Sequence, residues 1–183
     1  MNLPQFTHSG EYSISFSRAK NGELWGFRVN SSQLEGVVST NGGQSWSGVI
    51  VLKTGLHNTA LTDCHAFSAG GSDFMGVCYS ENSTTNSIVG FLRHQDGTSS
   101  SAWTDESTNL PPYSGTVSDD HINMAVANDG TVYLITKTDG GGGSIVDNGL
   151  YKRATNGTWQ LFAVNRGGGW TRPALAIDQS NNF

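Results

Sequence analysis

Four ionisable residues hold equivalent places in this sequence. Counting back from the turn-forming stretches Asn21-Gly22, Gly70-Gly71, Asn128-Asp129-Gly130 and Ser180-Asn181-Asn182 leads to Glu11, Asp63, Asp120 and Arg172, each at the start of a strand-like run. His65, Asp119 and His121 stand beside them. In a chain only 14% charged, that recurrence points to a shared rim where polar groups meet a ligand. Two carboxylates such as Asp63 and Asp120 can act as the acid and base of glycoside hydrolysis. The same groups can hydrogen-bond sugar hydroxyls with no bond broken, or hold a hard cation through oxygen. Arg172 can clamp a ligand carboxylate with two parallel N–H donors. Each position also has a structural use, because an aspartate at a strand end can satisfy nearby backbone donors. The histidines stand on strands that flank a packed core.

Other chemistries find little footing. Two cysteines are too few for a metal site or a disulfide framework. The sequence has no His-Glu-x-x-His and no Cys-x-x-Cys, and its glycine runs read as hairpin loops that open no helix. No metal and no cofactor is therefore expected. The net charge is −5, and the 10 Lys and Arg residues form no cluster, so a nucleic-acid groove is not expected. Apolar runs such as 48–52 are far shorter than a membrane-spanning helix. The first ten residues carry neither the basic start nor the apolar stretch of a secretion signal.

The elements that must position the rim follow from punctuation. Short apolar runs are broken by Gly, Asn, Asp and Ser, as in a chain of many short strands. No stretch carries the i, i+3, i+4, i+7 pattern of an amphipathic helix. Trp46, Trp103 and Trp159 recur at nearly equal intervals, each behind a polar turn. They divide the chain into four-strand units: 12–17, 23–28, 34–39 and 46–52, then 64–69, 73–80, 87–94 and a short strand at Trp103. The third unit is 121–127, 131–138, 149–154 and 158–164, and a fourth opens with 172–178. Four antiparallel strands repeated every about 40–50 residues are the mark of a β-propeller blade. The expectation is an all-β, incomplete propeller: blades at about 11–53, 63–105 and 119–166, and part of a fourth at 171–183. The glycine run at 140–143 lies inside a blade, so it is read as a loop and not as a linker. Three blades and a part cannot close a ring, and the missing blades of the same protein are the expected partner. A three-residue turn at Gly70-Gly71-Ser72 would set Cys64 opposite Cys78, within disulfide reach. The alternative is two small buried apolar residues.

The stretch Ser39-Thr40-Asn41-Gly42-Gly43-Gln44-Ser45-Trp46 resembles the Asp-box, S-x-D-x-G-x-T-W, of bacterial neuraminidase repeats, with Asn41 at the Asp position. Asp96–Trp103 and Ala154–Trp159 resemble degenerate copies, and 120–123 with the turn and strand that follow is similar to sialidase-like blades. The physical logic is local: Asn41 bonds groups around the turn, Gly43 takes a conformation other residues resist, and Trp46 packs between sheets. The resemblance implies a motif joining third and fourth strands, built from Ser39, Asn41, Gly43, Ser45 and Trp46, on the side away from any ligand. It further implies a sialidase-like, carbohydrate-acting protein working on extracellular glycans, or a non-catalytic propeller that binds a glycan or protein at the mouth of the ring. The family's enzymes need three inner-strand arginines, a Tyr/Glu pair and an Asp acid. Arg172-Pro173 is similar to the family's Arg-x-Pro element. Arg18, Arg28, Arg93, Arg153 and Arg166 fall on loops or outer strands, and Glu35 and Glu106 lack a placed tyrosine. These 183 residues are expected to be inactive by themselves.

Overall fold

Alternating apolar and polar residues between glycine-bearing turns produce twelve strands among the described residues of the computed structural model. It describes residues 14–57, 60–80, 89–111, 116–140, 146–165 and 172–178, with backbone alone described at 116–120, 138–140, 146, 147 and 163–165. The strands are β1 (Ser15–Arg18), β2 (Leu24–Asn30), β3 (Gln33–Ser39) and β4 (Ile50–Thr54), followed by β5 (Leu61–Ala69), β6 (Ser72–Ser80), β7 (Val89–Gln95) and β8 (Trp103–Asp105). A 3-10 turn, Ser107–Asn109, precedes β9 (Thr116–Val126), β10 (Val132–Gly140), β11 (Val146–Arg153) and β12 (Trp159–Asn165). Each set of four forms one antiparallel sheet in chain order, β1-β2-β3-β4, β5-β6-β7-β8 and β9-β10-β11-β12. The architecture is all-β with repeated four-stranded sheets.

The sheets pack face to face, and the middle sheet is buried on both sides. One core between the first and second sheets contains Trp25, Phe27, Leu34, Met75, Val77 and Leu92. A second core between the second and third contains Phe67, Phe74, Phe91, Met124, Leu134 and Trp159. Aromatic edges fasten both. The Trp103 ring stands edge-on to Trp25 at 5.3 Å and to Phe27 at 5.5 Å. Trp159 stands 5.1 Å from Phe91. Such contacts add about 0.5–1.5 kcal/mol beyond the area they bury.

Strand β4 begins at Ile50, four residues later than expected, because the turn keeps residues 46–49. The Ser47 N–H donates to the Val38 carbonyl at 2.8 Å, and the Ser47 hydroxyl accepts the Val38 N–H at 3.0 Å. Trp46 differs from its two counterparts. It meets Phe16 of its own sheet at 5.9 Å, since no described sheet precedes the first. Strands β5 and β9 start earlier than expected, at Leu61 and Thr116, so Asp63 and Asp120 lie inside strands and not at their starts. Residues 172–178 form no strand; the turn and partner expected of them, around 180–182, lie outside the described residues.

The three-residue turn that would set Cys64 opposite Cys78 is overturned, and the alternative of two small buried residues holds. The turn between β5 and β6 has two residues, Gly70 and Gly71, with φ of +58° and +78°, the geometry of a tight hairpin. Ser72 belongs to the strand, opposite Ala69. That one-residue change moves the register, so Cys64 faces Val77 and Cys78 faces Asp63. The thiols then point to opposite faces of the sheet, one into each core. Both are buried and free.

Candidate functional site

The first strands of the three sheets run side by side, joined by side-chain bonds where ladder bonds between neighbouring strands would otherwise stand. The Ser15 hydroxyl lies 3.0 Å from that of Thr62, linking β1 to β5. Asp63 links β5 to β9: its Oδ2 accepts the Asn123 Nδ2–H at 2.9 Å and the Met124 N–H at 2.8 Å. Its Oδ1 accepts the N–H of Cys64 at 2.8 Å. Asn123 passes the link onward, its Oδ1 accepting the Leu175 N–H at 2.7 Å. An edge strand must give its outward N–H groups a partner, and here Asp63 supplies it. The carboxylate is thereby held by three donors.

A cleft of about 440 Å³ opens along the same strands. Its walls come from the second halves of β5 and β9 and from 175–177, with Lys20 and the turn Asn128–Gly130 at one end. His65, Ser68 and Asn123 offer polar groups, while Phe67 and Met124 border the cleft with their side chains buried in the second core. The turn closes against β5 because residue 130 is a glycine. A Cβ there would lie 1.8 Å from the Ser68 carbonyl oxygen, and φ is +89°. No other residue permits that approach.

The sequence candidates separate on this geometry. His65 is exposed and lines the cleft; Asp63 lies behind the wall, bound to Asn123. His121 is half-buried on β9 and, like exposed Arg172, stands outside the lining; Arg172 has a φ of +58°. Asp119 and Asp120 belong to β9, where the backbone alone is described. Glu11 lies outside the described residues. The cleft thus runs toward the turns that close each first hairpin, whereas the spacing of Glu11, Asp63, Asp120 and Arg172 points to the opposite strand ends. Asn123, the residue that binds Asp63 and faces the cleft, was legible only as part of the 120–123 stretch. Lys20 and Ser68 carried no signal at all, because their approach depends on how neighbouring sheets stack.

The turn after β3 is a closed hydrogen-bond circuit. Asn41 Oδ1 accepts the Ser39 hydroxyl at 2.9 Å and the Ser45 N–H at 2.9 Å, while its Nδ2 donates to Ser45 Oγ at 2.8 Å. The Gly43 N–H donates to Ser39 Oγ at 2.9 Å, with a φ of +83°. The side-chain polar atoms of Ser39, Asn41 and Ser45 all serve the turn, which joins β3 to β4.

Glu106 and Glu35 are occupied in the same way. The buried Glu106 carboxylate takes Arg153 Nε at 2.7 Å, Arg153 Nη2 at 2.8 Å, Arg93 Nε at 2.6 Å and Trp159 Nε1 at 2.9 Å. Burial pushes its pKa up, but Arg153, Trp159 and Arg93 outweigh that and hold it below the ordinary glutamate value. Glu35 receives Arg28 Nε at 2.8 Å. Both are structural ion pairs, Glu106 joining the second sheet to the third. Burial drives the Cys64 thiol up to about 12 and Cys78 well above its ordinary value, so neither is a nucleophile at neutral pH. Among the described residues no three His, Cys, Asp or Glu side chains gather as metal ligands. The sequence matches no protein-family model, and no curated protein matches it.

Proposed function

We propose that this chain is an arc of a sialidase-like, Asp-box β-propeller and that it binds a glycan in the cleft beside β5 and β9. One observation carries the reading: the cleft follows the adjoining first strands and is lined by the polar side chains of His65, Ser68 and Asn123, groups of the kind that fix a sugar's hydroxyls. The propeller reading draws support from the repeat of four-stranded meanders, from the contiguous first strands and from the closed turn at Asn41. Recognition without cleavage is favoured because Asp63 already holds three N–H donors. An acid catalyst must keep an oxygen free for its substrate.

Hydrolysis is the second reading. It rests on Asp120, which stands on β9 shortly before Asn123 and would supply one carboxylate of a glycosidase pair.

A glycan array bearing neutral and sialylated oligosaccharides, followed by a fluorogenic sialoside, separates the readings. We expect binding without turnover, weakened at least tenfold by His65→Ala. Turnover lost in Asp120→Asn would establish the hydrolase instead. No binding to any glycan, with the chain folded by circular dichroism, would overturn both.

A further inference from the structure

The third wall of the cleft is held differently from the other two. Two walls are β5 and β9, each fixed within its own sheet by the ladder to β6 or β10. Leu175, Ala176 and Ile177 make the third, and among the described residues no ladder joins 172–178 to β9. The Leu175 N–H still needs an acceptor. It finds one in a side chain, Asn123 Oδ1, at 2.7 Å.

The orientation of that amide is decided elsewhere. A backbone N–H can only donate, and an ionised carboxylate can only accept. Asn123 therefore has one arrangement that serves both neighbours, with Nδ2 toward Asp63 Oδ2 at 2.9 Å and Oδ1 toward Leu175. Asp63 is itself fixed by the N–H groups of Met124 and Cys64, each at 2.8 Å. The link from β1 to β5 has no such polarity, since either hydroxyl of Ser15 and Thr62 can donate. Asp63, Asn123 and Leu175 thus form a one-way relay across two gaps, from β5 to β9 and from β9 to the third wall.

We propose that Asn123 is a positioning residue: oriented by Asp63, it holds residues 175–177 in place as a wall of the cleft. Asp63 then serves the site without touching a ligand. The consequence for affinity rests on the glycan reading above; the placing of the wall does not.

Hydrogen exchange of the Leu175 amide, followed by NMR on the full chain without ligand, tests the relay. Amides of β10 report global opening in the same spectra. Asn123→Ala takes away the acceptor, so Leu175 should exchange about tenfold faster or more, beyond any rise in β10. Asn123→Asp separates the relay from simple loss of a side chain. Protonated, it has the shape of the amide, with an O–H for Asp63 and a carbonyl for Leu175; ionised, it sets two carboxylates against each other. The ratio of its Leu175 exchange rate to that of wild type, taken from about pH 4.5 to pH 8, should start near one and climb toward the alanine value. The ionisable groups on the adjoining elements, His65 of β5, His121 of β9, Arg172 and Asp178 beside the third wall and Lys20 at the end of the cleft, are common to both proteins and cancel in that ratio.

Equal exchange at Leu175 in wild type and Asn123→Ala would overturn the proposal. So would a ratio for Asn123→Asp that does not change with pH, because the relay would then not run through Asp63. Glycan affinity of Asn123→Asp should fall over the pH range where exchange rises; affinity that holds there would show that the wall does not shape the site, and would overturn the proposal as well. The described exchange pattern in a wild type that binds no glycan would support the relay and overturn the glycan reading alone.

Discussion

Asp63 and Asn123, 60 residues apart, are joined at 2.9 Å across the gap between the first strands of two sheets. The same carboxylate oxygen also receives the Met124 N–H. A residue placed at the rim by its spacing is therefore a fastener between sheets.

Asp63→Ala should accordingly cost stability. It leaves the edge N–H of Met124 and the Asn123 amide without their acceptor, at about 1–3 kcal/mol for each group stranded. Asp63→Asn should cost less, since one oxygen remains to accept. Urea denaturation of the three proteins measures this. A substitution that removed an activity while leaving the denaturation midpoint in place would contradict the fastening role.

The Glu106 clamp predicts a pH dependence whose sign is fixed by its lowered pKa. The folded value lies below the unfolded one of about 4.3. Stability from this group is thus complete above about pH 4.3 and falls as pH drops through the folded value. Glu106→Gln leaves buried Arg153 without its counter-charge, which costs about 3–5 kcal/mol. Urea midpoints from pH 7 to pH 3 should fall for wild type and stay flatter for Glu106→Gln. Parallel curves would show that the clamp does not titrate as described.

The strands were readable because their signals are local. Alternation sets which residues face inward, and the glycine turns set where each run ends; β2, β3, β6 and β12 fall within two residues of expectation at each end. Register was not readable at Gly70-Gly71, where membership of a single serine in the turn decides which face Cys64 and Cys78 take. The partners across sheets were less readable still. Alternation puts Glu106 or Asp63 on a face, but nothing local names Arg153 or Asn123 as the group opposite. The cleft escaped for the same reason, since it is made where the strands of separate repeats meet.

The two thiols give a direct reading of that register. With the side chains on opposite faces of one sheet and both buried, neither can bridge to the other. Alkylation of the native chain without reductant should be slow, and unfolding in denaturant should release two titratable thiols per chain. Recovery of none after unfolding would mean a disulfide and a register one residue away.

The close approach at Gly130 can be separated from its backbone conformation by comparison with a second glycine. Gly55 has a φ of +79° and open space where a Cβ would stand, so Gly55→Ala carries only the left-handed penalty of about 1–2 kcal/mol. Gly130→Ala carries a similar penalty at φ +89° and, in addition, drives the turn off the Ser68 carbonyl. It should therefore lower the midpoint further than Gly55→Ala. Because that turn forms one end of the cleft, it should also weaken any ligand held beside His65, an effect that Gly55→Ala cannot have. Equal losses of stability in the two variants would show that the turn does not press on β5, and the cleft would then lack the end wall on which its shape depends.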